Sequence, residues 1–464
     1  MIFFWTDTLF FLLLLMLAAS IILTRRKEHL RRPWRKVARS KSAMVSLMVL
    51  VFYFGFAVLD SIHFHPAEAG GQSGTGKYKT EAMSLLDWWA SPLRQRVEKT
   101  YSAPFTTVAF ARESIRDTNG VSRWAYPRLQ YGGIHLTDPE NEKTRDILQT
   151  GLKGLLHGFL AWLGLVVLLV SSRARLAGIP IQQCGVEITQ GRTEIPWRAM
   201  LTALLLLLCL SFGLGELSLK YHVFGTDKVG EDVFFQSLKS IRTGLLIGTL
   251  TTFITLPLAL VLGIMAGYFR GWVDDIIQYL YTTLNSIPGV LLIAASMLLM
   301  QAYMARHEDE FASLALRADF RLLFLCMILG LTSWTGLCRL LRAETLKLRE
   351  MEYVQAARAL GVRQGNILLH HILPNVFHLV LISVALDFSS LVLAEAVLSY
   401  VNIGVDPTTE SWGNMINSAR FELAREPVVW WSLSAAFVFM FALVLSANLF
   451  ADAVRDAFDP RRVE

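Results

Sequence analysis

Uninterrupted apolar runs limit this chain to few architectures. Nine stretches, at about 2–23, 43–62, 155–170, 198–217, 244–268, 276–303, 322–341, 377–400 and 428–450, approach or exceed the length that bridges a hydrocarbon core roughly 30 Å thick. Lipid offers no partner for a bare N–H or C=O, so such stretches are expected to be helices. With 53% hydrophobic residues in all, a soluble enzyme around one core is excluded, and an all-α polytopic membrane protein is expected.

Arginine and lysine set the expected orientation, because short cytoplasmic loops are enriched in them. The first run is followed by "RRKEHLRRPWRKVARSK", and alternation then places 171–197, Arg270, 342–373 and the tail from 451 on the same inner side. Those segments carry Arg173, Arg175, Arg342, Lys347, Arg349, Arg455 and Arg461, whereas the opposite loops hold Asp227, Glu231, Asp232 and Glu308. The amino terminus is therefore expected outside and the carboxyl terminus in the cytoplasm. The formal charge of +6 reports membrane insertion and anionic lipid headgroups rather than nucleic acid. Cys209, Cys326 and Cys338 fall in apolar runs and Cys184 in an inner loop, so no disulfide framework is expected.

One stretch imitates a nucleotide site. "GGQSGTGKYKT" has the glycine and lysine spacing of a phosphate-cradling loop, but Tyr78 stands where a small hydroxyl must reach Mg²⁺, and no apolar strand precedes it. It reads as a linker within the outer segment 63–150. The rest of that segment holds Trp88, Trp89, Tyr101 and Trp124, enough aromatic surface to fold as a cap and to contact a partner. The expected organisation is two spans with a basic loop at 1–62, the outer insert at 63–150, two further spans at 151–218, and a five-span core at 219–464.

Within the core, the inner loop 342–374, "RAETLKLREMEYVQAARALGVRQGNILLHHILP", is too polar to span and too long for a bare connection. Ala356, Ala357 and Ala359 favour helix, and Val354, Ala357 and Leu360 recur at helical spacing. Gly361 fits the left-handed residue that ends a helix, and Pro374 suits the first turn of the next span. The expected path is a short helix, a turn, a second short helix and the span. A small-residue face flanked by Arg358 and Arg363 could dock in a groove of another protein or pack back on its own bundle, and periodicity leaves both open.

"YVQAARALG" followed by "HHILPN" resembles the cytoplasmic coupling motif of permeases of binding-protein-dependent ABC importers, with Gln355, Ala356, Ala357, Gly361, Leu373 and Pro374 on its positions. "VFGTDKVGEDVF", "SIRTGLLIG", "GIMAGYFRGWVDD", "SIPGVLLI", "AEAVLSYVNIGVDP", "SWGNMI" and "DAVRDAFDPRR" extend the likeness to the C-type oligopeptide and dipeptide permeases, from about His222 to Arg462. Gln355 replaces the motif's acidic residue, and Glu231 stands where arginine is usual. The outer segment and additional spans lie outside the common pattern.

The resemblance implies a type I ABC importer transmembrane fold in a bacterial inner membrane. It also implies a second homologous permease, two ATP-binding subunits that hold the ATP and Mg²⁺, and a periplasmic binding protein that delivers peptides. Nickel chelates or another small solute are the alternative cargo. No catalytic residue, cofactor or metal site is expected in this chain. Coupling to the ATPase falls to Gln355, Ala356, Ala357, Arg358, Gly361 and Arg363, and the translocation path or outer gate to Glu395, Ser399 and Asn402. Glu395 is an intramembrane carboxylate, read either as functional or as a structural partner of Ser399. His63 with His65, and His370 with His371, lack the clustered Cys or carboxylates of a metal site. A membrane-embedded enzyme needs converging catalytic groups, and no HExxH, GxSxG or paired intramembrane aspartates supply them; a secondary transporter normally shows broken helices and charged mid-span residues in matching repeats; neither reading explains the inner docking loop.

Overall fold

The computed structural model describes residues 4–26, 28–66, 82–116, 122–309, 311 and 313–458. The phosphate-loop imitation at 70–80 falls outside them. The described chain is mostly helical. It runs through α1 (Trp5–Arg26), α2 (Glu28–Arg39) and α3 (Lys41–Ser61), then β1 (His63–Phe64) and β2 (Met83–Ser84), α4 (Leu85–Trp89), α5 (Ser91–Arg94) and the hairpin β3 (Glu113–Arg116) with β4 (Ser122–Ala125). Next come α6 (Pro139–Ala177), α7 (Ile181–Gln190), α8 (Trp197–Ser218), α9 (Val233–Phe269), α10 (Trp272–Ser286), α11 (Gly289–Arg306) and α12 (Leu314–Arg349). The chain then forms α13 (Glu352–Ala359), α14 (Gln364–Ile367), α15 (Leu373–Tyr400), α16 (Trp412–Glu422) and α17 (Trp431–Phe458).

Among the described residues, seven helical stretches are long and apolar enough to cross a membrane: Lys41–Ser61, Pro139–Leu176, Trp197–Ser218, Val233–Phe269, Gly289–Arg306, Gln364–Tyr400 and Trp431–Phe458. The expected run at 322–341, and from Trp5 on the run at 2–23, are helical within α12 and α1 without being among the seven. The run at 276–303 is not one span. Proline cannot donate an N–H and keeps the residue before it out of the helical region, so Ile287 is extended (φ −93°, ψ 130°) and the helix restarts at Gly289.

Two compact units emerge. One comprises the described residues of Val37–Thr243 and Glu410–Ser446; the other comprises those of Phe3–Lys36, Gly244–Thr409 and Ala447–Glu464.

In the first unit α6 packs along α8. Gly154 and Gly158, four residues apart, face that contact: a Cβ added at Gly154 would lie 2.7 Å from the Gly213 Cα, and one at Gly158 would lie 2.7 Å from the Cys209 Cα. Small residues at this spacing let two backbones approach closely in lipid, where dispersion replaces the hydrophobic effect as the source of attraction. Towards the other end of the pair, Trp162 donates from Nε1 to the Leu201 carbonyl at 2.8 Å.

The outer segment is stitched into the same unit. Glu98 accepts from the amides of Gln130, Tyr131 and Gly132 at 2.9, 2.8 and 3.1 Å. It also lies 3.4 Å from Nε2 of buried His222, whose Nδ1 is 2.7 Å from Asp232. Those neighbours hold the Glu98 carboxyl down at about 2 and raise His222 to about 9, each against the opposing effect of burial. Thr226 donates to the Thr100 carbonyl and accepts from the Ser102 amide. Gly225 and Gly230, at φ +69° and +88°, sit so close to the Ser102 and Glu98 carbonyls that any Cβ there would overlap them.

Trp88, Trp89 and Trp124 are exposed, as a cap with a contact surface requires, but Tyr101 is not: it is buried, with the Arg425 guanidinium 5.3 Å from its ring centre. Sequence composition cannot tell a core aromatic from a surface one.

In the second unit, Asp319 of α12 accepts from the Trp5 amide at 2.9 Å and from the Thr6 hydroxyl, closing the first turn of α1 with a carboxylate where the helix dipole favours one. α12 also packs against α10, α11 and α15. Gly330 and Gly263 permit close approaches between α12 and α9, and Thr255 donates from α9 to the Gly330 carbonyl at 3.3 Å.

Candidate functional site

α13 is short because of its sequence. Three alanines and Gln355 favour helix, Glu352 sits in the first turn where a negative charge is stabilised, and Arg358 sits in the last. The end is a double closure: the Gly361 amide donates to the Arg358 carbonyl and the Val362 amide to the Ala357 carbonyl, both at 3.1 Å, with Gly361 at φ +74°. This pair of bonds defines the Schellman motif, whose left-handed residue is most easily glycine.

Only part of the expected apolar stripe faces inward. Val354 and Ala357 are buried with Ile367, Ile372 and Val376, against a cluster that includes Tyr268, Tyr281 and Leu341. Leu360 is 83% exposed, because the chain has already left the helix by the time its turn of the stripe arrives. Gln355, Ala356, Arg358, Gly361 and Arg363 are exposed, while Ala357 supports them from below. The outward surface thus has small, polar and cationic residues, with Leu360 as an exposed apolar point.

The expected second short helix is not separate from the span. α14 passes through a π turn at Leu368–Ile372 into α15, with the Leu373 amide donating to the Leu368 carbonyl. Pro374, in the first turn of α15, would clash with the carbonyl four residues earlier in a straight α-helix, and the widened turn relieves that conflict.

Side chains brace α13 to the neighbouring helix ends. The Asn375 amide donates to the Tyr353 hydroxyl at 3.1 Å and to the His371 carbonyl at 2.6 Å. Gln355 donates to the Glu350 carbonyl at 3.2 Å, and Glu350 in turn pairs with Arg270 at 2.8 Å. Arg270 and Gly271, both at positive φ, form the turn between α9 and α10. Arg349 donates to the Tyr268 carbonyl at 2.7 Å, and Arg342 grips Asp274 through two bonds of 2.6 and 2.7 Å. That grip holds the Asp274 carboxyl below its ordinary range. These contacts tie α13 to the ends of α9, α10, α12 and α15. Sequence reading missed Tyr353, Glu350 and Asn375 as braces; the basic residues at 270, 342 and 349 are the only hint that the sequence carries.

The other expected site residues lie at the far end of α15. Glu395 and Ser399 are both buried, and the Ser399 hydroxyl donates to Glu395 Oε1 at 2.7 Å, one helical turn away. Asn402 is exposed at φ +61° and ends α15 as Gly361 ends α13: its amide donates to the Ser399 carbonyl and that of Ile403 to the Leu398 carbonyl. A further intramembrane carboxylate, Asp387, escaped the sequence reading. It opens into a pocket of about 60 Å³ with Thr252, Thr255, Ser333 and Ser390.

A multi-pass helical bundle carrying a braced, outward-facing helix and turn between two long helices defines a membrane permease with the type I ABC importer transmembrane fold. The chain belongs to the family of binding-protein-dependent transport system inner membrane components, whose profile matches residues 259–464. It is 30% identical over 240 residues to the glutathione transport system permease protein GsiD of Pectobacterium atrosepticum, covering 52% of this chain and 73% of that one. It is 31% identical over 239 residues to the oligopeptide transport system permease protein OppC of Mycobacterium bovis, covering 52% and 76%. Against the dipeptide transport system permease protein DppC of Lactococcus lactis subsp. cremoris the identity is 30% over 243 residues, covering 52% and 65%. The protein is thus a multi-pass component of the inner membrane.

Proposed function

We propose that this chain is the permease subunit of an ATP-driven importer of peptides, forming half of a translocation path with a second, homologous permease. The family and the peptide cargoes in its relatives' names support this reading, and the braced α13 carries its mechanism. Two ATP-binding subunits hold ATP and Mg²⁺ and dock on Gln355, Ala356, Arg358, Gly361 and Arg363, with Ala357 beneath. A periplasmic binding protein delivers the peptide from the other side. The amino terminus faces that side and the carboxyl terminus faces the cytoplasm.

Work enters as a displacement of α13. Packing of Val354 and Ala357 on the helical core, together with the Asn375, Glu350 and Arg342 contacts, makes its movement a rigid-body movement of helix ends. Gln355 keeps a hydrogen-bonding head where the motif has a charge, and here that head holds the Glu350 carbonyl.

Expression with a cognate ATP-binding subunit tests the reading. The two should co-purify, ATPase activity should reside only in the complex, and proteoliposomes of the full assembly should accumulate a tripeptide when ATP and binding protein are supplied. A chain that assembles with no ATPase, or that moves peptide without one, is not this permease.

A further inference from the structure

We infer that the pocket around Asp387 is a binding site for an ammonium group of the solute in transit. Three helices each contribute one face: Thr252 and Thr255 from α9, Ser333 and Leu337 from α12, and Asp387 and Ser390 from α15. These positions fall near the middles of the expected runs 244–268, 322–341 and 377–400, so the pocket lies at mid-depth in the bilayer. Among the described residues, no hydrogen-bond or ion-pair partner meets the Asp387 carboxyl. A carboxyl held at that depth without a cation is costly, and such groups mark solute or proton pathways.

The hydroxyls say which ligand fits. Thr252 donates to the Gly248 carbonyl at 2.7 Å, Thr255 to the Thr251 carbonyl at 2.9 Å and Ser390 to the Asp387 carbonyl at 2.8 Å. Each directs its single proton at a backbone carbonyl, Thr255 sharing it between Thr251 and Gly330, and presents only lone pairs elsewhere. With the carboxyl ionised, as beside a bound cation, four acceptor groups thus face a space where, among the described residues, Ser333 alone keeps a proton to offer. Such a lining repels anions and suits a group with several N–H donors and a positive charge. About 10–15 Å³ of such space already holds one water, so 60 Å³ admits an ammonium head. Every peptide with an unmodified amino terminus carries one, and identifying the ammonium's owner as cargo rests on the importer reading.

Two experiments separate the inference from that reading. The first needs no transport. In membranes holding the full chain, a small thiosulfonate reagent should label the Ser390→Cys variant, with the site read by mass spectrometry apart from the native cysteines. n-Butylammonium should slow that labelling several-fold while n-butanol does not, and added Asp387→Asn should abolish the protection. No labelling, equal protection by the alcohol, or protection surviving Asp387→Asn each overturns the ammonium site. The second uses the complete importer with tri-alanine. Asp387→Asn should lower uptake about ten-fold or more, the loss expected for one charge-assisted hydrogen bond. Binding-protein-stimulated ATPase should persist, and Asp387→Glu should restore uptake. Normal uptake by Asp387→Asn, or joint loss of uptake and ATPase, shows that the carboxyl does not handle the cargo. If the wild-type importer moves no peptide while labelling shows ammonium protection, the importer reading fails and the site stands.

Discussion

At the scale of single residues, the clearest test lies at Gly361. Nothing approaches within 4 Å of a Cβ built there, so a larger side chain meets open space and the only penalty is its φ of +74°. For a β-branched residue that conformation costs roughly 1–2 kcal/mol, and it is relieved by unwinding the end of α13. Gly361→Val should leave the folded complex intact and lower uptake more than it lowers ATPase activity. Gly361→Asn should behave nearly as wild type, since Asn402 already occupies the same position at the end of α15. Equal, full transport by both variants removes the turn from the coupling argument.

His222 offers a second residue-scale prediction, with pH as the variable. Its pKa rises from 6.5 to about 9 in the fold, so its stabilising contribution is complete below 6.5 and is lost as pH climbs through 9. Glu98 falls from 4.5 to about 2, so its contribution is complete above 4.5 and is lost as pH drops through 2. Together they make the junction of the outer segment tightest between about pH 4.5 and 6.5. Hydrogen exchange of the amides of Gln130, Tyr131 and Gly132 should quicken from pH 7 to 9 beyond its intrinsic increase, and that excess should vanish in His222→Gln. A flat corrected rate in the wild type removes the charged histidine from the junction.

At the scale of elements, the contact of α6 with α8 rests on absent side chains. Leucine at Gly154 or Gly158 would have to push the Gly213 or Cys209 backbone away, and overpacking of this kind costs typically about 1–3 kcal/mol. Each variant should lower the thermal midpoint of the detergent-solubilised chain, whereas Gly164→Leu should not, because nothing lies within 4 Å of a Cβ there. Equal midpoints for all three would mean that the helices do not touch as closely as described. What the sequence made legible at this scale follows from local physics. Apolar length marks helices, glycine marks a left-handed stop at 361, and proline marks the first turn at 374. The break at Pro288 was legible in principle, but the hydropathy of its flanks hid it. The braces were not legible, because Arg342 and Asp274 are 68 residues apart and Asn375 and Tyr353 are 22 apart. Asp387 was hidden differently: a carboxylate in an apolar run is visible, but only the fold shows that it opens into a pocket without a partner among the described residues.

At the scale of the whole molecule, the question is whether the outer segment is an ornament on the permease core or part of its structure. The segment 222–234 carries the family-like "VFGTDKVGEDVF" stretch, yet Glu98, Thr100 and Ser102 of the insert satisfy His222 and Thr226 and fill the space beside Gly225 and Gly230. Removing residues 98–132 would leave His222 and Asp232 a buried pair stripped of its third charge, and breaking buried pairs costs about 3–5 kcal/mol. The hairpin of β3 and β4 is different. Its base is held by the bridge between Val108 and Arg128 and by the Arg112 guanidinium over the Tyr126 ring, and Glu113 meets Lys99 in an exposed pair of the kind worth little. Replacing 113–125 with a short Gly/Ser turn should therefore leave the thermal midpoint of the assembled importer within a degree or two, whereas replacing 98–132 should lower it by many degrees or prevent assembly. Uptake by the hairpin-trimmed importer then isolates Trp124: reduced affinity for the binding protein at unchanged stability assigns the hairpin to docking, and unchanged affinity leaves it without that role. Should the importer lacking 98–132 assemble and melt as the wild type does, the outer segment is dispensable to the fold, and its contacts with 222–232 are incidental.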